Sequence, residues 1–186
     1  MIFEFLAEGF EEIEALSPVD VLRRAGLEVS CVKIGDTNSK IVIGAHGISV
    51  CAEMFEKEAL ELSQKKKIDM IIFPGGMPGA RNLDESPATD VFIRKAMSDG
   101  AYIAAICAAP MILGKRGLLS GKRATCYPGF EEYLTGAVIT GEKVTVAEKI
   151  ITACGPGAAF EFAFMLTALM KGEAAAEDIR SAMLAK

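Results

Sequence analysis

Cys107 stands in the run AAICAAP, residues 104–110, among small residues that a tight turn tolerates. A thiolate here could attack an electrophilic carbon or be oxidised. A plausible helix, AAPMILGKRG, follows directly, so the cysteine would sit where a strand turns into a helix, the geometry of a nucleophile elbow. The helix start would set N–H groups and positive dipole beside the sulfur and favour thiolate. The bland alternative is a small hydrophobe buried where a strand ends. No histidine lies near Cys107 in sequence, and His46 is the only one in the chain.

Two other stretches could meet this cysteine. Glu8, Glu11, Glu12 and Glu14 follow the first apolar run, and their ordinary role would be a solvated helix start. If one of them lies against Cys107, the two acids cannot easily ionise together, and the carboxyl would stay protonated beside a thiolate. Such a carboxyl can give a proton to an alkoxide and later recover it. The turn FPGGMPGA could bring the Gly76 N–H close to a reacting oxygen, or be no more than a strand-ending turn. It is not a dinucleotide fingerprint, because that register needs glycine where Pro74 stands.

The elements that must carry these residues alternate between β-rich and helical runs. MIFEFLA, LEVSCVKI, IDMIIFPGG and AYIAAI read as strands; KIVIGAHGISVCA and KVTVAEKIITACG read as β pairs. EEIEALSPVDVLRRAG, ATDVFIRKAMSDG, AAFEFAFMLTALMKG and AAEDIRSAMLA have helical spacing. SPVD at 17–20 reads as a capping box with proline at the first helical position, which would leave Glu14 in the preceding loop. A longer helix kinked at Pro18 fits equally well. Strands buried on both faces between helices indicate an α/β sandwich with a mostly parallel sheet. Ligands sit beyond the carboxyl ends of such strands, which selects Glu8–Glu14, Pro74–Gly79 and Cys107–Pro110.

At 186 residues a single domain spanning 1–186 is expected. The net charge of −5, with no basic tract, argues against general affinity for nucleic acid or acidic membranes. No apolar stretch is long enough to span a bilayer, and the acidic start lacks a basic signal region, so a cytoplasmic location is expected. Five widely spaced cysteines form neither a disulfide framework nor a zinc knuckle. Cys31 and Cys154 read as core residues.

AEGFEEIEALSPVDVLRRAGLEV, FPGGMPGARNLDES, AAICAAP and GPGAAFEFA, in this order, resemble the ThiJ/PfpI superfamily from end to end, and within it the deglycase branch. The resemblance implies a flavodoxin-like three-layer sandwich, a homodimer, Cys107 as reactive cysteine and Glu14 as its protonated partner. It implies an anion site formed by the N–H groups of Gly76 and Ala108. VLRRAG and the hairpin around His46 would lie near the dimer contact. Where the peptidase-like branch has histidine after the cysteine, this chain has Ala108, which weakens a proteolytic reading. Where the deglycase branch has a histidine before a loop proline, this chain has Tyr127, beside Cys126. Tyr127 could contact substrate, and His46 could reach the site of a neighbouring subunit. Cys51, on the same hairpin, could be a secondary oxidation site.

The activity so implied is a glyoxalase or deglycase acting on small α-oxoaldehydes to give 2-hydroxy acids, with a stress-response role and no metal or organic cofactor. The alternative is a redox sensor or chaperone-like stress protein that uses an oxidisable Cys107 without turnover. An intracellular cysteine peptidase comes third.

Overall fold

The computed structural model describes residues 1–35 and 38–185. In chain order the elements begin with β1 (Ile2–Leu6), α1 (Glu12–Arg24), β2 (Val29–Lys33), β3 (Ile41–Ile43), β4 (Ser49–Cys51) and β5 (Met54–Phe55). Then come α2 (Glu56–Ser63), β6 (Met70–Phe73), α3 (Gly79–Glu85), α4 (Pro87–Asp99), β7 (Tyr102–Ile106) and α5 (Pro110–Lys115). The chain continues through β8 (Arg123–Ala124), β9 (Val138–Ile139), β10 (Val144–Ala147), β11 (Ile150–Ala153), α6 (Ala159–Lys171) and α7 (Glu173–Ala182).

Seven strands form the central sheet in the order β10-β11-β7-β6-β1-β2-β5. All its pairings are parallel except β10 with β11. The fold is therefore the expected α/β sandwich with a mostly parallel sheet. The β1 side chains alternate between its faces. Phe3 and Phe5 pack against Phe92 of α4, with ring centroids 5.8 and 4.6 Å away. Glu4 thus points to the opposite face, the side of α1 and α6, which pack on each other. Burying each phenylalanine stabilises the sheet by about 2–3 kcal/mol and fixes the β1 register, because a one-residue slip would exchange its faces.

The structure decides between the two readings of SPVD in favour of the longer helix, and corrects one further expectation, at Cys154. SPVD does not start a helix: α1 begins at Glu12, and the Glu11 carboxylate caps it by accepting the Glu14 N–H at 2.8 Å. Pro18 lies inside the helix, where its missing N–H forgoes one helical bond, to the Glu14 carbonyl. Glu14 is therefore in the first turn rather than a loop. Cys154 is only half-buried, whereas Cys31 is in the core as expected. α2 and α3 lack a clear sequence signature, because α2 is short and α3 starts on a glycine with no capping side chain.

Candidate functional site

Four strand ends meet at Cys107, those of β1, β6, β7 and β11. β7 ends at Ile106, and Cys107 follows at φ 64°, a left-handed conformation that costs a non-glycine residue free energy. Two backbone bonds hold it there. Its N–H donates to the Ala153 carbonyl at the end of β11, and its carbonyl accepts the Tyr127 N–H, each at 2.8 Å. Pro110 then opens α5. The side chain is almost wholly buried, at 8% exposure, so the sulfur meets chosen neighbours rather than bulk water.

Those neighbours come from β1–α1 and β6. The Glu14 carboxyl hydrogen-bonds the Cys107 side chain, and the Gly76 and Ala108 N–H groups point at the sulfur. The Gly75 N–H donates to Glu14 Oε2 at 2.9 Å, and the Glu11 N–H donates to the Gly75 carbonyl at 3.0 Å, tying the two loops together. Gly75 has a role that the sequence did not announce. A Cβ there would lie 2.6 Å from the Cys107 Cβ and 2.5 Å from Glu14 Oε2, so only glycine lets the acid and the cysteine meet. The Gly-Gly doublet was its sole signal. Gly76 has φ 82°, which turns its N–H toward the sulfur.

Burial raises both acids of the pair. The Glu14 carboxyl is pushed up to about 7, chiefly by desolvation; the Cys107 and Gly75 hydrogen bonds pull it down, and the Glu11 charge adds to the rise. Desolvation raises the Cys107 thiol too, as does an ionised Glu14, while Gly76 and Ala108 lower it. Burial thus opposes the thiolate that the helix start favours. The two groups titrate as a unit. When Glu14 keeps its proton, its charge no longer opposes the thiolate, and its O–H becomes a donor to the sulfur. The pair can therefore hold one negative charge and one shared proton.

His46 and the Tyr127 side chain are not shown joining this cluster. His46 is 68% exposed in its side chain and pairs with Glu12, Nδ1 to Oε2 at 2.8 Å. Glu12 Oε1 also accepts the N–H groups of His46 and Ile48, so this buried carboxylate fastens the β3–β4 turn to α1. Desolvation pushes Glu12 up, but His46 and these N–H groups outweigh it, leaving Glu12 below its usual range and His46 above its own. Glu11, Glu12 and His46 present ligand atoms within 4.8 Å of one another and could hold a cation, although Glu12 is already satisfied. Protonated His46 gives its contribution below pH ~6.5 and loses it as pH rises through its raised folded value. His46→Ala should therefore lower the melting temperature more at pH 6 than at pH 9, as scanning calorimetry would read.

Tyr127 is 46% exposed and lines a cleft of about 370 Å³ with Cys126, Pro128, Cys154, Gly155 and Pro156. A Cβ on Gly155 would lie 3.1 Å from the Tyr127 ring, so the ring lies against this glycine. Only the Tyr127 backbone is shown touching Cys107. Cys51 is exposed on its hairpin. No described helix is long and apolar enough to cross a membrane.

Comparison with known proteins places this geometry in a family context. Residues 2–169 match the model of the DJ-1/PfpI family. Protein DJ-1 homolog A of Arabidopsis thaliana is 34% identical over 183 residues; the match covers 96% of this chain and 45% of that protein, so the chain spans less than half of this plant relative. The glutathione-independent glyoxalase DJR-1.2 of Caenorhabditis elegans is 33% identical, with 89% of this chain and 85% of that protein covered. The structure of oxidized Toxoplasma gondii DJ-1 superposes with a TM-score of 0.90 at 34% identity, covering 98% of this chain and 97% of that one.

Proposed function

Since the chain belongs to the DJ-1/PfpI family, we propose that it is a cysteine-dependent enzyme of the glyoxalase or deglycase type, converting small α-oxoaldehydes to 2-hydroxy acids in a stress-response role. The observation that carries this reading is the meeting of the Glu14 carboxyl and the Gly76 and Ala108 N–H groups on the Cys107 sulfur. A relative of similar sequence is named a glutathione-independent glyoxalase.

The Cys107 thiolate adds to the aldehyde carbon, and the carbonyl electron pair becomes an alkoxide held by the Gly76 and Ala108 N–H groups. Glu14 donates its proton to that alkoxide, forming a hemithioacetal. As a carboxylate it removes the hydrogen on the former aldehyde carbon as a proton, and the electron pair moves onto the ketone oxygen to give an enediolate. Glu14 returns that proton to the neighbouring carbon while the hydroxyl proton passes from the first oxygen to the second, leaving a thioester. Water cleaves the thioester to a 2-hydroxy acid and frees the thiol. The net change adds one water to the oxoaldehyde and needs no redox partner. Free glyoxals fit this path better than glycated side chains on protein, because the sulfur is so nearly buried.

We also infer a cytoplasmic homodimer of single-domain subunits. Ile13, Ile41, Ile43 and Ile48 are each about half-exposed on α1 and the β3–β4 hairpin, an apolar surface that a second subunit would cover. Tyr127 would touch substrate from the neighbouring cleft, and His46 would act across the dimer.

The non-catalytic redox reading has one observation in its favour, the structural neighbour solved in an oxidized state. The peptidase reading lacks a histidine after the cysteine, since Ala108 stands there. One experiment separates the readings: the protein is incubated with methylglyoxal without glutathione, and lactate is followed by NMR. Lactate formation supports the enzyme. If none forms while peroxide oxidises Cys107 selectively, the redox reading takes its place.

A further inference from the structure

Glu4 is a carboxyl in the middle of β1 with no exposure at all, and neither oxygen meets a protein hydrogen-bond partner. A neutral acid is the only tolerable form there, since a buried carboxylate without a donor is costly. Desolvation raises it well above the usual carboxylate range, and the charge of Glu14 acts in the same direction. Glu14 Oε1 is the other buried side-chain oxygen left open among the described residues. Glu4 points to the sheet face that carries α1, the helix of Glu14. Its β6 neighbour is Ile72, three residues before the Gly75 N–H that holds Glu14 Oε2. Glu4 and Glu14 thus hold three open carboxyl oxygens on one side of the sheet, close enough for the charge of one to act on the other.

We propose that Glu4 is a positioning residue for Glu14: its neutral carboxyl donates, through a buried water, to Glu14 Oε1, and so keeps the Glu14 proton on Oε2, facing the Cys107 sulfur. Buried carboxyl oxygens with no protein partner are the kind of groups that such a water satisfies. A carboxylic acid can carry its proton on either oxygen, and only the proton on Oε2 can stabilise a thiolate. The other ionisable groups bearing on this region are Cys31, beside Glu4 on β2, and Glu11 and Cys107, which act on Glu14. Cys31 is held neutral by burial, and the Glu53 carboxylate accepts its N–H and pairs with Arg23.

The inference rests on the cysteine–glutamate pair of the proposed function, yet its test needs no turnover. Iodoacetamide labelling of Cys107 is followed against pH by peptide mass spectrometry in the full chain, with Glu4→Met and Glu4→Gln beside wild type. Methionine fills the space without a donor, whereas glutamine restores an N–H donor. Labelling at pH 7 should fall about fivefold in Glu4→Met, the loss expected for one organising hydrogen bond. Glu4→Gln should keep the wild-type profile. A wild-type profile in Glu4→Met overturns the proposal, as does an equal loss in both variants with lowered melting temperatures, which would mark a purely structural role. Glu14→Gln is the control for the underlying pair. If it labels with the wild-type profile, the cysteine–glutamate reading itself fails, whatever Glu4 does.

Discussion

Cys107→Ser should abolish lactate formation from methylglyoxal, with kcat/KM falling roughly a thousandfold or more. Serine keeps the Cβ and nearly the volume of cysteine, so the φ 64° turn and its bonds to Ala153 and Tyr127 remain. What is lost is acidity. A hydroxyl holds its proton far more tightly than a thiol, and Glu14 is too weak a base to take it. Circular dichroism and the melting temperature should stay near wild type, which separates a lost nucleophile from a lost fold. Cys51→Ser, on the exposed hairpin, should keep wild-type turnover. Turnover retained in Cys107→Ser would remove the cysteine from the chemistry and leave the site without a nucleophile.

The parts of this site legible in the sequence were those at strand ends. Parallel strands put their carboxyl ends on one edge, so Cys107, Gly76 and the glutamates of β1–α1 could be placed together before any contact was known. Which glutamate reaches the sulfur was not legible from spacing; the resemblance named Glu14. The structure supplies the reason: Glu11 caps α1 and Glu12 fastens the hairpin, leaving Glu14 to face inward from the first turn. Gly75 stayed hidden because its partner lies 61 residues away. Glu4 stayed hidden for another reason. A lone acid in MIFEFLA has no partner in its own run, and nothing in the sequence says whether another element supplies one; only the packed structure shows its oxygens buried without a partner. His46 is the opposite case: it is the only histidine in the chain, and within its own subunit its ring pairs with Glu12 and serves a turn.

Glu14→Gln should lower kcat by about a hundredfold to ten-thousandfold, because the amide can donate to the sulfur but cannot pass a proton. A second consequence appears in stability. The Glu14 carboxyl is raised from 4.5 to about 7 in the folded chain, so the folded state binds more protons than the unfolded state across that interval. Stability of the wild type must then fall as pH rises from about 4.5 through 7, by roughly 3 kcal/mol if the whole rise is expressed. Whether the first anion of the pair settles on oxygen or sulfur, it is buried, and the sign is the same. With glutamine the first group left to ionise is the Cys107 thiol, itself raised by burial, so the fall should move to alkaline pH. Urea unfolding at pH 4 and pH 8 would show it. The variant should match wild type at the lower pH and exceed it at the higher, while being the poorer catalyst at both. Equal stability curves would mean that Glu14 ionises as an ordinary surface carboxylate, and the shared-proton chemistry would fall with it.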